Sequence, residues 1–196
     1  MSWSSGKDSA LALAVAREDM GLEVTGLLTT VNESADRVAM HAVRRQLLAA
    51  QADRLGIALY TVDIPSPCPN AIYEERMAKA VAAAQADGID TMIFGDLFLE
   101  DIRAYRFEML QGTGITPVFP LWRRPTAALA REMIDRGVRA YLTCVDPRVM
   151  PRALAGRAFD ETLLDDLPAG VDPCGENGEF HPLCGTLRGS LRPSMS

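Results

Sequence analysis

The sequence SSGKDS at residues 4–9 stands between a short apolar start and an Ala/Leu-rich helix, and the fold assignment begins from it. Small residues let a backbone approach a ligand, and the N–H groups of a helix N-terminus attract anions. Lys7 adds a mobile positive charge, and the serines add hydroxyl donors. The segment is not a G-x-x-x-x-G-K-[ST] phosphate loop, because the first glycine of that motif is missing. The alternative interpretation is an ordinary serine or aspartate helix cap.

Strand and helix patterns alternate along the rest of the chain. Predicted strands cover residues 23–31, 57–64, 91–96, 116–121 and 140–145, and predicted helices cover residues 9–20, 37–55, 70–88, 102–111 and 126–136. Gly56 is expected to end the second helix and Asn70 to cap the third. The alternation predicts an α/β fold, a Rossmann-like, doubly wound parallel sheet. Only three residues precede the first loop, whereas a strand normally has about five.

Composition limits the function classes. The 196 residues are 48% hydrophobic and 23% charged, which excludes wholesale disorder, and the apolar runs are too short for a membrane span. A net charge of −6 argues against general nucleic-acid binding, because affinity for the phosphate backbone needs a basic surface. Four scattered cysteines do not make a disulfide scaffold, and the start lacks the features of a secretion leader, so a cytoplasmic location is expected.

Three motifs resemble a known family. SSGKDS is similar to the S-G-G-x-D-S pyrophosphate loop of N-type ATP pyrophosphatases, with Ser5 in place of the first glycine. If this position needs a positive φ, the serine costs about a kilocalorie per mole. DPCGENGEFH at residues 172–181 resembles the E-x-G-E-[FY] signature of the diphthine–ammonia ligase branch. Two further segments resemble the same branch: Gly95-Asp96 together with Tyr105, and DRVAMH at residues 36–41. The resemblance therefore extends over residues 1–181.

The resemblance implies an adenine nucleotide alpha hydrolase-like fold and an ATP-dependent ligase. Such an enzyme adenylates a carboxylate, releases pyrophosphate and transfers ammonia, using ATP and Mg²⁺. The implied partners are ammonia and a small-molecule or protein-borne carboxylate, with no membrane and with a homodimer left open. The implied domains are an ATP-binding unit at residues 1–146, a substrate-side segment at 147–184 and a flexible tail at 185–196.

The resemblance also implies the site residues. The ATP-binding set is Ser4, Ser5, Gly6, Lys7, Asp8, Ser9, Thr30 and Asp96. The catalytic set is Lys7, Glu176 and Glu179, in which the two glutamates hold ammonium and take its proton. The substrate-binding set is His41, Tyr105, Asn177 and His181, and the Mg²⁺ ligands are Asp8 and Asp96. Because ligands lie beyond the carboxyl ends of parallel strands, Lys7 and Asp96 are expected to face one crevice.

Competing interpretations stay open at this stage. The protein is alternatively a non-catalytic ATP sensor, or an RNA thiolase of the same superfamily, which the acidic charge and the lack of a C-x-x-C pair disfavour. The two glutamates are alternatively part of a solvated acidic loop. Zinc ligation is the alternative for a set of four side chains: Cys144, Cys174, His181 and Cys184.

Overall fold

A computed structural model describes residues 1–38 and 43–187. Its helices are α1 (Lys7–Glu18), α2 (Arg45–Leu55), α3 (Asn70–Ala86), α4 (Glu100–Leu110), α5 (Thr126–Asp135) and α6 (Glu161–Asp165), with a 3-10 turn at Arg152–Leu154. Its strands are β1 (Gly26–Asn32), β2 (Arg37–Val38), β3 (Ala58–Ile64), β4 (Thr91–Ile93), β5 (Thr116–Val118), β6 (Val138–Val145) and β7 (Phe180–Leu187). Within the described ranges, no helix has the length and apolar character needed to cross a membrane.

Parallel pairing dominates the first two thirds of the fold, as predicted. β1 pairs with β3 and β4 pairs with β5, both in parallel. The three N-terminal residues join these two sheets, because Ser2 N–H donates to the Ile93 carbonyl (2.8 Å) on one side. On the other side, Leu28 N–H donates to the Met1 carbonyl and Trp3 N–H donates to the Leu28 carbonyl, each at 2.8 Å. The short N-terminal segment therefore lies between β1 and β4.

The predicted second helix is wrong in its first part. Residues 37–38 form β2, which pairs antiparallel with β1, and α2 begins only at Arg45. The helix ends at Gly56 as predicted, in the left-handed conformation (φ 64°) that glycine adopts without steric cost. Asn70 is the first residue of α3 rather than its cap, since Pro69 occupies the cap position.

The C-terminal part adds a strand that the sequence analysis does not predict. β7 pairs antiparallel with β6, and it extends through Leu187, so residues 185–187 are not a loose tail. Residues 188–196 lie outside the described part of the chain. The side chains of Phe159, Leu163 and Phe180 belong to the same buried cluster as the first helix, so the core continues across residue 146.

Helix α1 occupies the centre of the molecule. Every residue from Ser9 to Ala16 is buried. The helix contacts β4 as well as β6 and β7, which explains why its Ala/Leu-rich sequence is apolar on all sides. The loop at residues 4–9 is thereby fixed at the carboxyl end of the N-terminal segment, against the core.

Candidate functional site

The loop before α1 contains a backbone conformation that favours glycine. Ser5 has a φ of 67°, so the position does need the left-handed region, as the comparison with a glycine-containing motif suggested. Hydrogen bonds within the loop hold its shape: Gly6 N–H donates to Ser4 Oγ (3.3 Å) and Ser9 Oγ donates to the Gly6 carbonyl (3.0 Å). The Ser4 and Ser9 hydroxyls lie 3.1 Å apart.

Gln51 of α2 fastens this loop to β7. Its Nε2 donates to the Ser5 carbonyl (3.4 Å) and to the Cys184 carbonyl, while its Oε1 accepts from Trp3 Nε1 (3.0 Å). Cys184 N–H also donates to the Ser5 carbonyl (2.9 Å). Sequence reasoning did not find Gln51, although one signal was present. This polar residue lies three positions after Leu48, within the apolar stripe of its helix.

The N-terminus of α1 provides donors for an anion. Gly6 occupies the cap position and no side chain caps the helix, so the first N–H groups have no intrahelical partner. Ser5 is fully buried, and within the described residues its Oγ has no hydrogen-bond partner. A buried hydroxyl without a partner is rare in native proteins. Its presence beside a helix N-terminus fits a site completed by a bound polar group.

Lys7 is not the mobile charge that the sequence analysis predicts. Its side chain is only 2% exposed, and Nζ donates to both carboxylate oxygens of Asp8 (2.8 and 2.9 Å). The same Nζ lies 3.8 Å from Glu176 Oε1. Burial opposes the charge of this amine, but Asp8 and Glu176 hold the pKa of Lys7 above its usual value. The lysine is therefore a fixed cation between two carboxylates.

The end of β4 lies directly against the start of α1. A Cβ at Gly95 would come within 3.1 Å of Ser9 N and 3.2 Å of the Asp8 carbonyl, so any other residue would crowd the backbone of α1. The next residue, Asp96, lies 3.5 Å from Arg106 Nε of α4. Burial first, and the nearby Asp8 carboxylate, raise the pKa of Asp96, although Arg106 opposes the shift. Lys7, Asp8 and Asp96 therefore lie at one edge of the sheet.

Glu176 joins this edge from the turn before β7. Burial, followed by the charge of Asp8, raises the pKa of Glu176 to about 7, against the opposing effect of Lys7. Asp172 and Asp96 contribute to the same shift. The structure thus brings Lys7, Asp8, Asp96 and Glu176 together, and we call these four residues the carboxylate–lysine cluster.

Glu179 has a different environment from Glu176, because hydrogen bonds within its own turn hold its carboxylate. Its buried carboxylate accepts hydrogen bonds from the N–H groups of Asp172 (3.0 Å) and Asn177 (2.9 Å) and from Asn177 Nδ2 (3.0 Å). Burial opposes ionisation, but these bonds hold the pKa of Glu179 below its usual value. Both Glu179 and Asn177 therefore stabilise the turn that presents Glu176.

For three of the other predicted site residues the structure shows local surroundings, and the fourth lies outside the described chain. Thr30 is half-buried within β1, and the hydroxyl of its neighbour Thr29 donates to the Trp3 carbonyl (2.7 Å). The ring of Tyr105 lies 6.4 Å from that of Tyr73 on α3. His181 is exposed in β7, and its carbonyl accepts from Thr143 Oγ1 (2.7 Å). His41 falls in residues 39–42, which the structure does not describe.

The cysteines give no support to a zinc site. Across residues 1–38 and 43–187, no three His, Cys, Asp or Glu side chains are grouped to hold a metal ion. Cys174 Sγ donates to the Thr126 carbonyl (3.3 Å), and burial raises the pKa of this thiol to about 12. Cys144, in contrast, is exposed.

Comparison with known proteins agrees with the motif resemblance. The family described as "Diphthamide synthase N-terminal domain" matches residues 1–115, which is more than half of the chain. The matched part contains the loop at residues 4–9, Asp96 and Arg106, whereas Glu176 and Glu179 lie beyond it. No curated protein matches the chain. The chain therefore belongs to the diphthamide synthase N-terminal domain family, in the PP-loop ATP pyrophosphatase superfamily.

Proposed function

We propose that this protein is an ATP-dependent ligase that forms an amide from a carboxylate and ammonia. The observation that carries the proposal is the 3.8 Å separation of Lys7 Nζ and Glu176 Oε1. It puts a carboxylate of suitable pKa for proton transfer beside the lysine of a phosphate-binding loop. A sensor that only bound ATP would gain nothing from a buried carboxylate beside Lys7, because the carboxylate repels phosphate.

The loop residues fit the phosphates of ATP. The free N–H groups at the start of α1 and the unpartnered Oγ of Ser5 are donors, and Lys7 supplies a fixed positive charge. Ser4, Gly6 and Ser9 shape the loop through the hydrogen bonds described above. We place the adenine near the end of β1, around Thr30.

The charges of the cluster favour a divalent cation. Asp8 and Glu176 flank Lys7, and Asp96 lies near Asp8 and Glu176, so three carboxylates would face an incoming polyphosphate. Mg²⁺ prefers oxygen ligands and is commonly bound through one or two carboxylates together with substrate phosphates. Asp8 and Asp96 are the residues that would hold it. When bound, Mg²⁺ supplies charge neutralisation between the carboxylates and the phosphates.

Glu176 is the proton acceptor in this proposal. In the first step, a carboxylate oxygen of the acceptor bonds to the α-phosphorus as the bond to pyrophosphate breaks. Ammonia then bonds to the carboxyl carbon, AMP leaves with the bridging oxygen, and Glu176 takes the proton that nitrogen loses. A pKa of about 7 suits this role, since a general base works best near the ambient pH.

The deciding experiment is pyrophosphate release from ATP and Mg²⁺ across a panel of carboxylic acids, with and without ammonium. We expect Lys7→Met to abolish release, and we expect Glu176→Gln to lose amide formation by ~100-fold or more. Because Glu176 lies 3.8 Å from Lys7, its variant should also change ATP affinity. ATP binding without pyrophosphate release for any acid would favour the sensor alternative.

The remaining expectations form part of the same proposal. All four cysteines are free thiols, and we propose a reducing cytoplasm as the compartment. The acceptor is a small or protein-borne carboxylate, and a homodimer is compatible with the proposal. RNA thiolation is disfavoured by the net charge of −6.

A further inference from the structure

Arg103 of α4 lies in a cage of aromatic rings. Its guanidinium carbon is 5.1 Å from the centroid of Phe107, 5.4 Å from Phe119 and 4.9 Å from Trp122. The rings contact one another, with Phe107 and Phe119 stacked at 5.8 Å and Phe119 and Trp122 edge to face at 5.9 Å. We call these four residues the Arg103 cage. A guanidinium packed against rings is held in a fixed orientation and keeps its charge.

This arginine differs from its neighbours because no carboxylate balances its charge. Arg106 pairs with Asp96, Arg123 with Glu100 and Arg124 with Glu132. Among residues 1–38 and 43–187, Arg103 forms no ion pair, and its buried Nε has no hydrogen-bond partner. The aromatic rings compensate part of the hydration that this half-buried cation has lost, but they offer the guanidinium no hydrogen-bond acceptor. Such a group is suited to receive an anion from outside the chain.

The Arg103 cage lies next to the carboxylate–lysine cluster. Arg103 precedes Arg106 by three residues, so the two side chains are neighbours on one face of α4. Arg106 reaches Asp96 after β4, while Phe119 and Trp122 follow β5, the parallel partner of β4. The cage and the cluster therefore share the carboxyl edge of this sheet.

We propose that the Arg103 cage is a binding subsite for an anionic group, a carboxylate or a phosphate, of the acceptor molecule. The inference rests on the proposed function, which requires an acidic acceptor beside a cluster of carboxylates. That cluster repels a second acid, since its only cation, Lys7, is paired with Asp8, and the neighbouring Arg106 is paired with Asp96. With Nε buried, the two terminal nitrogens of Arg103 form the binding edge, and their fork matches a carboxylate or phosphate.

A binding assay without ATP tests the subsite directly. Trp122 is the reporter, because its ring lies 4.9 Å from the guanidinium, whereas the other tryptophan, Trp3, is buried and bonded to Gln51. We would titrate the protein with succinate or with inorganic phosphate and follow tryptophan fluorescence, with sodium chloride at matched ionic strength as the blank. The two titrations show whether carboxylate or phosphate is preferred.

The variants decide the outcome. We expect a saturable change in tryptophan fluorescence in the wild-type protein and at least ~10-fold weaker binding in Arg103→Gln. Arg103→Lys should bind with intermediate affinity. The control Arg123→Gln should bind as tightly as the wild type. Arg103→Lys keeps the charge and serves if the glutamine variant does not fold. The same affinity in the wild type and in the Arg103 variants, or a change that sodium chloride reproduces, would overturn the subsite.

Turnover separates failure of the subsite from failure of the proposed function. If the ligase proposal holds, Arg103→Gln should raise the KM for the acceptor acid by ~10-fold or more and leave the KM for ATP unchanged. Equal increases in both would indicate a structural role and overturn the subsite. If no acid supports pyrophosphate release while succinate or phosphate still binds through Arg103, the ligase proposal fails and the anion site stands.

Discussion

Glu176 and Glu179 stand three residues apart in one turn, yet their carboxylates have opposite environments. Glu176 Oε1 lies 3.8 Å from Lys7 and close to other carboxylates, and its pKa is raised to about 7. Glu179 accepts three N–H hydrogen bonds, and its pKa is lowered. The first therefore suits proton transfer, and the second suits the role of a structural anchor.

Replacing Glu176 by glutamine should change how stability depends on pH. The raised pKa of Glu176 means that the folded protein favours the protonated carboxyl. The resulting contribution to the free energy of unfolding is complete below about pH 4.5 and is lost as the pH rises through about 7. Relative to the wild type, Glu176→Gln should gain stability across this window. Each kcal/mol corresponds to about 2–4 °C in Tm for a chain of this size. Thermal unfolding of both proteins between pH 4 and 8 measures the effect, and a constant difference would contradict it.

Glu179→Gln should destabilise the protein, with the opposite dependence on pH. An amide NH₂ would face backbone donors, which costs about 1–3 kcal/mol of unfolding free energy. The lowered pKa means that the stabilisation is complete above about pH 4.5 and disappears as the pH falls through the lower folded value. Urea unfolding at pH 7 and pH 3 tests this, with Glu176→Gln as the matched control. A larger loss at pH 3 than at pH 7 would contradict the anchor role.

Gln51 and Ser5 should be energetically coupled. Ser5→Gly relieves the positive φ and should raise the unfolding free energy by about 1 kcal/mol. Gln51→Met removes the bonds from Gln51 to the Ser5 and Cys184 carbonyls and the bond that Trp3 Nε1 donates to Gln51, and should lower the unfolding free energy. Denaturation of the single and double variants should give a coupling of about 0.5–3 kcal/mol. Simple additivity would mean that the Gln51 contact does not hold the loop.

Asp96→Asn should weaken ATP binding only when Mg²⁺ is present. Removing one carboxylate removes a metal ligand but also relieves repulsion of phosphate. We expect about 10-fold weaker binding with Mg²⁺ and equal or tighter binding with a chelator, measured by calorimetry. Asp90→Asn is the control, because this exposed aspartate precedes the amino end of β4. A loss of affinity that is equal in both conditions would remove Asp96 from the metal site.

Local sequence determined the elements of this fold and the position of its loop. The patterns of neighbouring residues predict helices α1 to α5 and the parallel strands β1, β3, β4 and β5, except that the second predicted helix begins too early. The end of α2 follows from Gly56, whose φ of 64° needs no distant contact. The loop at residues 4–9 could be recognised because its chemistry depends on small residues in sequence before a helix. The positive φ of Ser5 was already suggested by comparison with a glycine-containing motif.

Tertiary structure alone decided the roles of the charged residues. Lys7 loses its mobility, and Glu176 acquires its raised pKa, because the turn before β7 folds back onto the start of α1 across more than 160 residues of chain. The pairing of β7 with β6 and the bond between Gln51 and Cys184 have the same origin. Burial and Coulomb interactions depend on distance in space, and residues far apart in the sequence carry no local pattern that reveals it.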